Sequence, residues 1–71
     1  MNELEFLRFQ TRISGISLSA ANMLSYIKDE MYGHTYSDIV LDFSLRLHDA
    51  GLLEKVSSVF NLYLEELENH V

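Results

Sequence analysis

The sequence predicts an all-α fold: a small antiparallel bundle of about four short helices, completed by dimerisation. Three observations carry this expectation. Apolar residues recur at helical spacing along the chain, glycines and Ser/Thr/Asp clusters punctuate it, and proline is absent. The predicted helices span residues 3–14, 18–32, 36–50 and 53–69. A chain of 71 residues is expected to form one domain, 1–71, near the lower limit of independent stability. A core of this size seldom supplies more than about 3–5 kcal/mol, and without cysteine neither disulfides nor thiolate zinc sites can add to it. Association is the remaining way to stabilise the fold.

In the first helix, Phe6, Phe9, Ile13 and Ile16 fall within ~80° of one another at the ~100° per residue of an α-helix, which predicts a core stripe. Leu4 and Leu7 point to nearly the opposite side, with Thr11 beside them, and are candidates for a second contact. Gly15 and the run Ser17-Leu18-Ser19 end this helix and start the next, because a serine oxygen can accept a hydrogen bond from an otherwise unpaired first-turn amide. In the second helix Ala20, Met23, Leu24, Ile27 and Met31 form one stripe, with Asn22, Ser25 and Asp29 opposite. Gly33 supplies the left-handed residue that commonly closes a helix.

Thr35 with Asp38 three residues on has the spacing of a capping box and starts the third helix. Tyr36, Ile39, Val40, Phe43, Leu47 and Ala50 take one side of it, whereas Leu41 and Leu45 project from another. One apolar face suffices for a surface helix, so the third helix is either central or shared with a second subunit. Ala50-Gly51-Leu52 reads as a stop in which Gly51 turns left-handed and Leu52 folds back. The fourth helix aligns Leu53, Val56, Phe60, Tyr63, Leu64 and Leu67 into a stripe directed wholly at the core.

Searching these elements for chemistry yields structural readings. Gly15-Ile16-Ser17-Leu18-Ser19 lacks the final glycine of a nucleophile elbow and follows no strand, so Ser17 is expected to cap a helix. His34, His48 and His70 are not spaced as a helical metal pair, and solvated or helix-terminal histidine is the expectation. Glu65 and Glu66 are adjacent on a helix and face apart, unlike a catalytic carboxylate pair. Asp42 and Arg46, four apart, form a surface pair. No enzyme activity, cofactor or metal is expected.

The net charge of −6, with a pI near 4.7, repels phosphate backbones and anionic lipids, so nucleic acid and membrane surfaces are disfavoured partners. Met1-Asn2-Glu3-Leu4-Glu5 carries acids where a signal peptide has a basic region, and no apolar run approaches the ~20 residues that span a bilayer. The cytoplasm is the expected compartment.

The phrase Leu45-Arg46-Leu47-His48-Asp49-Ala50-Gly51-Leu52, behind a helix ending at Gly33, resembles the recognition helix and stop of winged-helix regulators. That resemblance implies DNA binding and a β-hairpin wing after Gly51. Against it, the helix carries Asp38, Asp42 and Asp49 beside Arg46 alone, and Val56 to Leu67 has helical periodicity. Phe9, Thr11, Ile13, Ile16, Ser17 and Ala21 are similar to part of the first-helix pattern of the small helical-hairpin adaptors of phycobilisome degradation, and the likeness covers those positions alone.

The expected function is therefore a non-enzymatic protein-binding module, an adaptor, inhibitor or regulatory subunit that also forms a homodimer. The alternative is a transcriptional regulator of degenerate winged-helix type. The candidate protein-binding residues are Leu4, Leu7, Tyr26, Leu41 and Leu45; Tyr26 falls toward the polar side of the second helix, and interfaces are enriched in exposed tyrosine.

Overall fold

The helical periodicity and the stop signals place the elements closely. In the computed structural model, which describes residues 1–69, α1 is Glu3–Ser14, α2 is Leu18–Glu30, α3 is Tyr36–Asp49 and α4 is Ser57–Asn69, with a 3-10 turn at Leu53–Val56 leading into α4. The described residues contain no strand.

Side-chain caps and glycines fix the helix ends. Asn2 accepts from the Glu5 amide at 2.9 Å while the Glu5 carboxylate accepts from the Asn2 amide, a capping box that starts α1. Ser17 accepts from the Ala20 amide at 3.2 Å and starts α2, and Thr35 accepts from the Asp38 amide at 3.2 Å and starts α3. Gly33 and Gly51 adopt φ of +92° and +73°, the left-handed region glycine enters without steric cost. At the end of α3 the Gly51 amide donates to the His48 carbonyl at 3.1 Å and the Leu52 amide to the Leu47 carbonyl at 2.9 Å. That pair of bonds satisfies carbonyls the helix leaves open and folds Leu52 back against the core, as the sequence predicts.

The core joins all four helices. Phe6, Phe9 and Ile13 of α1, Ala20, Leu24 and Ile27 of α2, Ile39, Val40, Phe43 and Leu47 of α3, and Val56 and Val59 form one buried apolar cluster. Aromatic rings tie it together. Phe6 stacks on Tyr36 at 4.6 Å with the Lys28 ammonium 5.8 Å from the Phe6 centroid, and Phe9 meets Phe43 edge-on at 6.0 Å and Phe60 at 5.4 Å. Helix α1 packs on α2, α2 on α3, and α4 closes against α1.

Several sequence expectations are corrected. Ile16 is not a core residue: α1 ends at Ser14, the Ile16 and Ser17 amides both donate to the Ile13 carbonyl at 3.0 Å, and this tight turn carries Ile16 off the helical stripe into solvent. Ala50 is exposed because it follows the last turn of α3. Met23 and Met31 are half-buried at the edge of the core. The last segment is not one uniform helix directed at the core. Its first turn winds as 3-10, about three residues per turn, which rotates the following stripe relative to a continuous α-helix. Val59 is consequently buried, Leu53, Phe60 and Tyr63 are half-buried, and Leu62 is exposed. The side chains of Leu64 and Leu67 lie outside the described ones.

The folded chain exposes 4824 Å², against about 4,500 Å² for an ordinary monomer of its mass. The twelve core residues keep 5% or less of their surface exposed, and the apolar residues outside them add to the exposed area.

Candidate protein-binding surface

On a helix, two residues apart means ~160° around the axis, so a leucine two positions from a core residue points away from the core. Leu4 stands in that relation to Phe6, Leu7 to Phe9, and Leu41 and Leu45 each to Phe43. The structure places these four leucines outward, with 58%, 46%, 61% and 61% of their surface exposed, respectively. Tyr26 of α2 is also exposed, at 63%. The five residues do not form one patch. Because α1 and α3 face each other through Phe6–Tyr36 and Phe9–Phe43, the Leu4/Leu7 face and the Leu41/Leu45 face look out on opposite sides of the molecule.

Each face continues into a depression. Leu41 borders an open apolar groove of about 270 Å³ between α3 and α4, lined also by Ser37, Val40, Ser44, Phe60 and Tyr63. Leu7 borders a groove of about 250 Å³ between α1 and α2, with Thr11, Ser14, Ala21, Leu24 and Ser25 among its walls. The hydroxyls beside the leucines turn back onto their own helices. Thr11 Oγ1 donates to the Leu7 carbonyl at 2.9 Å, Ser14 Oγ to the Thr11 carbonyl at 3.0 Å, and Ser44 Oγ to the Leu41 carbonyl at 2.7 Å. Such local bonds leave hydrocarbon facing outward with its polar atoms already satisfied.

Charge frames the two faces differently. Glu3 and Arg8 are exposed beside Leu7 and Leu4, one of each sign, while Asp38 and Asp49 are exposed on the side of α3 that carries Leu41 and Leu45. Arg46 lies on the far side of Asp42 from these leucines and is engaged: its Nε donates to Asp42 Oδ1 at 2.8 Å and its Nη2 lies 3.3 Å from Glu30 Oε2. The hydrogen bond to Asp42 pushes the Arg46 pKa above the usual arginine range; slight dehydration opposes it, and the charges of Asp42 and Glu30 reinforce it. The sequence spacing identifies the Asp42 partner, whereas Glu30 comes from α2 and is brought in by packing.

The residues weighed for catalysis or metal binding lie in separate parts of the chain. Ser17 is a helix cap. His34 is exposed, His48 is exposed with Nδ1 3.8 Å from Asp49 Oδ1, and His70 lies outside the described residues. Glu65 is exposed, and the side chain of Glu66 lies outside the described ones. Among the described residues no group of three His, Cys, Asp or Glu side chains could hold a metal ion, and no helix is long and apolar enough to cross a membrane.

Sequence reasoning missed four exposed apolar residues, Ile16 as corrected above and Leu18, Leu62 and Tyr32. Leu18 and Leu62 were detectable by the same two-residue rule, since they stand two positions from Ala20 and Phe60. Tyr32 follows the last turn of α2 and has no helical position to betray it.

Fold and surface together define a class: an all-helical chain of four helices around one buried core, with pairs of exposed leucines on α1 and α3. No family model, no curated protein and no solved structure matches the chain.

Proposed function

We propose that this chain is a non-enzymatic protein-binding module, an adaptor, inhibitor or regulatory subunit of the cytoplasm, which acts through helix–helix contacts and associates with itself. The observation that carries the reading is the set of four outward leucines, Leu4, Leu7, Leu41 and Leu45, about half exposed or more on helices whose inner faces are already buried. Apolar side chains grouped on an exposed face mark candidate sites for a partner. The satisfied hydroxyls of Thr11, Ser14 and Ser44 support the same reading, because a helix seated there leaves no polar atom unpaired.

The winged-helix alternative has less support. The segment after Gly51 is a 3-10 turn and a helix where that resemblance implies a β-hairpin, and Arg46 is held by two carboxylates. A salt-dependent shift of duplex DNA by the purified chain would favour that alternative instead.

Sedimentation velocity at micromolar concentration tests self-association. An assembly larger than the 8.2 kDa chain is expected, and a well-folded monomer throughout the concentration range would overturn it.

A further inference from the structure

We draw no further inference here: the strongest candidate, the exposed leucine faces of α1 and α3 with the grooves beside them, carries none because nothing in the structure shows what covers either face.

Discussion

The inner and outer faces of α3 are built from similar side chains and meet different fates. Phe43 and Leu47 have 0% of their surface exposed, while Leu41 and Leu45, on the same helix, keep 61% each. Fully burying a leucine is favourable by about 1.5–3 kcal/mol, so both faces are driven from water with comparable force. What separates them is supply of partners: Phe9 and Phe60 reach Phe43, and Leu52 folds back at the end of the helix whose last turn holds Leu47, whereas the outer leucines find only the rim of a groove. Helix α2 is more polar on its outer side, with Asn22, Ser25 and Asp29 exposed opposite its buried stripe beside a single leucine, Leu18. Apolar character thus marks which surfaces gain from contact, and packing decides which of them obtain it within one chain.

The largest effect is expected from breaking the inner face. Phe43→Ala removes a fully buried ring that contacts Phe9 and Phe60, at a cost of about 3–5 kcal/mol, as much as a core of this size supplies. Far-UV circular dichroism should then show loss of helix at 25 °C; a cooperative urea transition near the unmodified midpoint would mean that Phe43 is not central to the core.

Gly51→Ala tests the stop that directs Leu52 under that face. A Cβ there meets nothing within 4 Å, so the penalty is backbone strain alone at φ +73°, about 1–2 kcal/mol, read as a lower urea midpoint with an unchanged slope. Gly15→Ala should act in the opposite direction. Gly15 is right-handed at φ −72° with its nearest contact at 3.5 Å, and alanine is expected to stabilise by about 0.4–1 kcal/mol through reduced freedom of the unfolded chain; a raised thermal midpoint is the readout.

The smallest effect on folding is expected at the outer face. Leu41→Glu with Leu45→Glu should change the stability of the isolated chain by no more than about 0.5 kcal/mol, because both side chains stand mostly in water. Measured by denaturation at a concentration low enough to dissociate any assembly, a loss of several kcal/mol would show these leucines to belong to the core, and the contrast between the two faces would collapse.

Much of the fold was legible because its signals are local. Phe6, Phe9 and Ile13 repeat at helical spacing, Thr35 precedes Asp38 by the capping interval, and Gly33 and Gly51 follow the last periodic residues; each bonds or packs within one turn of itself. The pairing of Asn2 with Glu5 was equally local, a capping interval that periodicity alone passes over. The outward direction of Leu4, Leu7, Leu41 and Leu45 was legible too, since helix geometry fixes their angle from the core residues. The burial of Val59 was not, because it depends on how tightly the chain rewinds after Gly51. Nor was the approach of Glu30 to Arg46, which joins residues of different helices.

The sequence by itself determined the helices, their caps and stops, and the presence of two apolar sides on α1 and α3, because hydrogen bonding and side-chain angle on a helix are set by neighbours three or four residues away. Only the tertiary structure decided that the two outer faces look in opposite directions. That relation depends on which sides of α1 and α3 meet through Phe6–Tyr36 and Phe9–Phe43, contacts between residues about thirty positions apart whose pairing no local pattern specifies.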